Sequence, residues 1–150
     1  MPRRRDKSVR IVILASSLLA LTAASLPSAN LDVAIAGLRS PKGNVLACLT
    51  ANPKYFPNCS RDPRALKLAV PAAEARMIEF PNVAPGTYAL ALMHDENANQ
   101  KLDVRLFVPK EGFAFSRNPI VRFAPPKFDA VAFTVGTGES VQRVTMRYML

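Results

Sequence analysis

The chain has 150 residues, 49% of them hydrophobic and 21% charged, with 13 prolines, six glycines, a single histidine and no tryptophan. It is too apolar for a disordered chain and too rich in proline for a long helical bundle, and one His leaves little equipment for acid–base catalysis at neutral pH. The formal net charge is +9; beyond the first ten residues the basic side chains are spread singly, which does not predict nucleic-acid binding.

Residues 1–29 read as a signal peptide with a helical apolar segment. Arg3, Arg4, Arg5, Lys7 and Arg10 precede an uncharged run from Ile11 to Leu26. That run is shorter than the roughly 20 apolar residues of a spanning helix, so cleavage is expected rather than anchoring. Thr22, Ala24, Ser25, Ser28 and Ala29 offer several cut points, and an uncleaved anchor is the alternative. Residues 30–150 are then one extracytoplasmic domain, periplasmic or secreted, without stable membrane insertion. Fifteen basic against ten acidic residues leave it a net charge of +5. Export permits Cys48 and Cys59, the only cysteines, to form one disulfide around Leu49–Asn58, on the order of 2–3 kcal/mol of stabilisation. Two free thiols is the competing reading.

Apolar residues next recur with period two. Leu31, Val33 and Ile35 mark a strand, and Val45–Leu49 marks another after the turn Ser40-Pro41-Lys42-Gly43, the two forming a hairpin. Leu66–Val70 and Arg76–Phe80 follow, although Ala69–Ala75 could hold a helical turn. Val83-Ala84-Pro85-Gly86 predicts a type II turn with Gly86 at positive φ. In the strand Thr87–His94, Tyr88, Leu90, Leu92 and His94 share one face and Thr87, Ala89, Ala91 and Met93 the other. Ala130–Val135 and Ser140–Met149 close the series around Gly136-Thr137-Gly138-Glu139, after a long irregular stretch from Asp95 to Asp129. About seven short strands with Pro/Gly turns predict an all-β fold, an antiparallel sandwich of two sheets, because each sheet has one apolar side to hide.

The stretch Asp95–Asp103 carries the clearest chemical pattern. Oxygen-bearing side chains recur at Asp95, Asn97, Asn99 and Asp103, and with the backbone carbonyl of Lys101 they occupy alternate positions of a loop able to surround a hard cation such as Ca²⁺, which takes six to eight oxygens. Gln100 stands where calcium loops place Gly, and Leu106 stands where an EF-hand needs a bidentate Glu, so an EF-hand is excluded. The competing reading is a metal-free turn in which Asp and Asn side chains accept backbone N–H bonds. His94 reads as a hydrogen-bonded strand-end residue. With neither a second His nor an adjacent Cys it cannot build an ordinary zinc site. A Ser116-His94-Asp95 triad would need a bend, since adjacent strand residues point to opposite faces. Downstream, Phe107, Phe113, Phe115, Phe123 and Phe128 interleave with prolines and glycine. Phe107, Phe113, Phe115 and Arg117 could form a ligand surface; alternatively the rings pin the loop to the core, leaving Lys110, Glu111, Ser116 and Arg117 on its solvated side.

Four segments together resemble a known family: Phe80-Pro81-Asn82-Val83-Ala84-Pro85-Gly86-Thr87-Tyr88, the run His94 to Asp103, Pro109-Lys110-Glu111-Gly112-Phe113-Ala114-Phe115-Ser116, and Ala124-Pro125-Pro126-Lys127-Phe128-Asp129. In this order they resemble the bacterial DUF2141 family of exported proteins, over essentially all of residues 30–150. The resemblance implies a small extracytoplasmic β-sandwich of the prealbumin or carboxypeptidase-regulatory type, without an established activity, which agrees with a prealbumin-like or immunoglobulin-like arrangement of the expected strands. The family's loop commonly reads D-x-N-x-N-G-K-L-D; here Gln100 replaces the Gly, and Val108 stands where a Gly commonly precedes Ile-Pro. The expected function is a non-enzymatic envelope or secreted binding module acting on an envelope protein or ligand. A calcium-stabilised structural domain is the alternative, and a small hydrolase ranks last.

Overall fold

The computed structural model describes residues 28–105, 108–122 and 124–150. The expected leader therefore lies outside the described residues except for Ser28 and Ala29, as do Leu106, Phe107 and Phe123. The chain is all-β. Its strands are β1 (Ala29–Ala36), β2 (Asn44–Thr50), β3 (Leu66–Pro71), β4 (Met77–Val83), β5 (Gly86–Asp95), β6 (Val104–Arg105), β7 (Val108–Pro109), β8 (Gly112–Phe115), β9 (Phe133–Val135) and β10 (Gly138–Thr145), with one helical turn, α1 (Phe128–Val131). No helix among the described residues is long and apolar enough to cross a membrane.

Two sheets form a sandwich, one ordered β10-β1-β4 and the other β3-β2-β5-β8, with β9 added against the start of β5. The alternation read from the sequence sets their inner faces. Leu31, Val33 and Ile35 of β1, Val45, Ala47 and Leu49 of β2, Ile78 and Phe80 of β4, and Leu90 and Leu92 of β5 are all buried in one core. Burying a side chain of this size is worth roughly 1.5–3 kcal/mol, so the alternate positions dominate the choice of face.

The expected hairpin of the first two strands is not formed. β1 and β2 belong to different sheets, and Ser40-Pro41-Lys42-Gly43 carries the chain across the sandwich. The apolar rows of the two strands thus meet across the core instead of lying side by side. β1 pairs with β4 antiparallel and with β10 in parallel, from Ala29 beside Gly138 to Ala36 beside Thr145, so the sandwich is not antiparallel throughout. The last expected strand also changes sheet. After β10 ends, Arg147 exchanges two backbone hydrogen bonds with Phe113 of β8, at 3.0 and 2.9 Å, closing one edge. The expected strand Ala130–Val135 divides into α1 and β9. Gly86 already belongs to β5 and lies outside the left-handed region; the positive φ falls on Asn82 instead, at 55°.

The irregular stretch contains β8, which extends the second sheet beside β5. Its Phe113 and Phe115 pack on the outer face of that sheet with Ala89, Ala91 and Val131, joined by Phe56 and Phe128. Small alanines on β5 leave room for the rings, so β5 is covered on both faces. Cys48 projects to this same outer face, in register with Ala91. It forms the expected disulfide with Cys59, with Cα atoms 6.1 Å apart. The bond pins the segment holding Phe56 over the aromatic layer.

Candidate functional site

The Asp95–Asp103 turn leaves the end of β5 and closes on itself. Asp95 is fully buried, and its carboxylate accepts the N–H groups of Asn99 at 3.1 Å and Gln100 at 2.7 Å. Asn97 Oδ1 accepts the Asn99 N–H at 3.1 Å, and Asn99 Oδ1 accepts the Lys101 N–H at 2.8 Å. The amide groups of Asn97 and Asn99 both donate to Asp103, at 2.7 and 3.2 Å. Four side chains read from the sequence therefore gather in one turn, while the Lys101 side chain remains exposed. Gln100, at the position expected to favour Gly, adopts φ 60°, and Ala98 adopts φ 56°. The backbone thus takes the left-handed conformation without glycine.

Glu111 enters the same region from the turn between β7 and β8, and the sequence reading placed it in solvent. It is only 4% exposed. Its Oε2 accepts the Asp103 N–H at 3.1 Å, and its Oε1 is buried without a hydrogen bond among the described residues. Burial pushes this carboxyl above its ordinary range, and the neighbouring charges of Asp95 and Asp103 push the same way; the Asp103 and Glu96 N–H groups oppose them. The Glu96 N–H acts there as a nearby dipole, outside hydrogen-bond geometry. No group of three or more His, Cys, Asp or Glu among the described residues is close enough together to hold a metal ion as it stands. In this arrangement the Asn97 and Asn99 amides occupy the Asp103 oxygens.

Around the turn the chain is clamped. Gly43, at φ 67°, lies against the backbone of Asp95 and Glu96 so closely that a Cβ would collide with it. Arg39 bonds Glu96 through Nε at 3.1 Å, reaches the Lys110 carbonyl at 2.9 Å and the Leu150 carbonyl at 2.6 Å, and lies 4.3 Å from the centre of the Tyr148 ring. Ser40 Oγ donates to Glu96 Oε1 at 2.8 Å. The Arg39 guanidinium holds the Glu96 carboxyl below its usual range.

His94 is fully buried and bonded at both ring nitrogens: Nε2 lies 2.9 Å from the Lys42 carbonyl and Nδ1 lies 2.6 Å from Tyr148 Oη. A carbonyl only accepts, so a neutral ring carries its proton on Nε2 and Nδ1 accepts from the phenol. Tyr148 Oη in turn accepts the Arg39 N–H at 3.2 Å, and burial raises its pKa above 10.0. Ser116, expected in solvent, is fully buried. It donates to the Val131 carbonyl at 2.6 Å and accepts the Leu90 N–H at 3.1 Å. The Ser116, His94 and Asp95 side chains each serve separate structural bonds and are not hydrogen-bonded to one another as a triad.

The expected aromatic ligand surface is not assembled. Phe113 and Phe115 are 8% and 7% exposed, because they cover the small side chains of β5. Arg117 is exposed and donates to the Ala132 carbonyl at 3.2 Å, and Phe107 lies outside the described residues. A depression beside these rings, lined by Asn118, Val121 and Arg147 among others, has a volume of about 10 Å³, far below the roughly 300–1,000 Å³ of small-molecule sites. Sequence reasoning found Asp95, Asn97, Asn99 and Asp103 by their spacing and missed Glu111. No local signal marked Glu111, whose surroundings come from distant segments: the Tyr148 ring packs on the next residue, Gly112, so closely that a Cβ there would collide with it.

No curated protein and no solved structure matches this chain. Residues 33–143 match the family described as "Uncharacterized protein conserved in bacteria (DUF2141)". The match spans well over half the sequence and includes both the Asp95–Asp103 turn and Glu111, and on it the chain belongs to the bacterial DUF2141 family.

Proposed function

We propose that this chain is an exported, non-enzymatic β-sandwich module that acts by binding an envelope protein or ligand, and that a calcium ion stiffens the end of the sandwich formed by the Asp95–Asp103 turn. The observation that carries the reading is the gathering of Asp95, Asn97, Asn99 and Asp103 into one turn. These are hard oxygen donors at alternate positions, the kind of set that Ca²⁺ takes. The basic leader followed by an uncharged run supports export, and the Cys48–Cys59 bond suits an oxidising compartment. The non-enzymatic part of the reading draws support from the structural employment of His94 and Ser116.

Calcium titrated into chelator-treated protein is expected to raise the melting temperature, because an ion bound only to the folded state stabilises it. The rise is expected to vanish in the Asp95→Ala, Asp103→Ala double variant. Absence of any shift at about 10 mM, above the 0.1–1 mM range typical of weak extracellular sites, removes the calcium reading. Hydrolysis of envelope substrates that disappears in His94→Ala removes the non-enzymatic one.

A further inference from the structure

We propose that Glu111 is the ligand that completes a calcium site shared between the Asp95–Asp103 turn and the start of β8, so that one ion ties β5, the turn and β8 together. The inference rests on the calcium reading above and adds a residue, a charge and a structural consequence to it.

The turn by itself is an incomplete site. Of its three carboxylates Glu96 is taken by Arg39 and Ser40, which leaves Asp95 and Asp103, and its twelfth position is Leu106, where an EF-hand uses a bidentate acid. The missing acid comes from another part of the fold. Glu111 is 4% exposed and its Oε2 is fixed on the Asp103 N–H at 3.1 Å, which places the carboxylate at the base of the turn. Its Oε1 is buried with no hydrogen bond among the described residues. A buried carboxylate oxygen is ordinarily paired, because the loss of its hydration is otherwise uncompensated. Arg39, which is bonded to the turn, is committed to Glu96 and to the Lys110 and Leu150 carbonyls, and the Lys101 side chain is exposed. A divalent cation supplies the missing partner and offsets the mutual repulsion of Asp95, Asp103 and Glu111.

The donor set selects the cation. Three carboxylates, two side-chain amides and the Lys101 carbonyl are hard oxygens of mixed type on a turn with left-handed residues at Ala98 and Gln100. Ca²⁺ accepts six to eight such oxygens in irregular geometry, whereas Mg²⁺ requires a near-octahedral shell and retains water. Binding draws the Asn97 and Asn99 amide N–H groups off Asp103. Their Oδ1 atoms keep the Asn99 and Lys101 N–H groups and turn a second lone pair to the ion, which takes over the charge the amide N–H groups screened.

The test is calorimetric titration of Ca²⁺, and separately Mg²⁺, into chelator-treated protein. It uses the unaltered chain, Glu111→Gln, Glu111→Asp and, as an exposed control beside the far end of β1, Glu139→Gln. The expected result is one Ca²⁺ per chain, with Mg²⁺ bound more weakly. Glu111→Gln is expected to bind Ca²⁺ at least about tenfold more weakly, Glu111→Asp to fall between, and Glu139→Gln to match the unaltered chain. In chelator, Glu111→Gln should melt no lower than the unaltered chain, since it removes a repelled buried charge; a merely structural role would lower it. Calcium affinity within about twofold of the unaltered chain in both Glu111 variants overturns the inference and leaves the calcium reading standing. Failure of the unaltered chain to bind Ca²⁺ overturns both.

Discussion

Replacing Tyr148 by Phe removes one oxygen and little else, which makes it a direct probe of the buried His94. The ring keeps its packing against Gly112 and its position under the Arg39 guanidinium. What disappears is the 2.6 Å bond to His94 Nδ1 and the acceptor for the Arg39 N–H. Arg39 is exposed, so water replaces its lost partner at small cost. His94 is fully buried, and its Nδ1 is left as an acceptor without a donor. Such an orphaned group costs about 1–3 kcal/mol, more than the net value of an average hydrogen bond. The expected destabilisation is therefore about 1–3 kcal/mol in urea unfolding followed by circular dichroism, with an unchanged slope. In a His94→Leu background the orphan no longer exists, and the cost of Tyr148→Phe should fall below about 0.5 kcal/mol, the coupling expected of groups in direct contact. Equal costs in both backgrounds, or a cost below about 0.5 kcal/mol in the native one, would refute the reasoning.

Other perturbations test the rest of the frame. Removing the Cys48–Cys59 bond, which joins residues 11 apart, releases a short loop in the unfolded chain and should lower stability by about 2.8 kcal/mol in reducing against non-reducing urea titrations; an unchanged midpoint would show that the chain gains nothing from the closure. Gln100→Gly should stabilise by about 0.5–1 kcal/mol in the same assay, since φ 60° strains a side chain by about 1–2 kcal/mol and glycine returns part of that as unfolded-state entropy; a loss would mean that Gln100 makes a compensating contact. Asp62 is buried, and the Thr50 hydroxyl, bonded to it at 2.6 Å, with the Arg64 N–H holds its carboxyl below its ordinary value of 3.8. A depressed carboxyl stabilises the fold above its unfolded pKa, and that stabilisation is lost as pH falls through the folded one. Thermal melts from pH 5 downward should therefore decline less steeply in Thr50→Val than in the unaltered chain, and parallel curves would contradict the assignment.

Much of this molecule was legible one segment at a time. The alternation of Leu31, Val33 and Ile35, and of Leu90 and Leu92, identified strands and their buried faces, because a pleat repeats every two residues whatever the partner strand is. The spacing of Asp95, Asn97, Asn99 and Asp103 identified the turn for a similar local reason: short polar side chains bond backbone two to five positions away. The Phe-rich stretch was harder, since Phe113 and Phe115 are compatible with an exposed groove or a covering layer. Their burial depends on Ala89 and Ala91, more than 20 residues earlier in the chain.

From its residues alone the chain determined the β-rich character, the periodic core, the cysteine pair and the oxygen-bearing turn, all of which follow from short-range geometry and side-chain chemistry. Only the tertiary structure decided that β1 lies beside β10 and apart from β2, that Arg147 crosses to β8, and that Glu111 is buried under the turn. A pleated strand displays the same hydrogen-bonding edges to any neighbour, so its partner is chosen by how all the apolar faces close together. A charged side chain likewise carries no local mark of burial; its surroundings are supplied by segments distant in sequence.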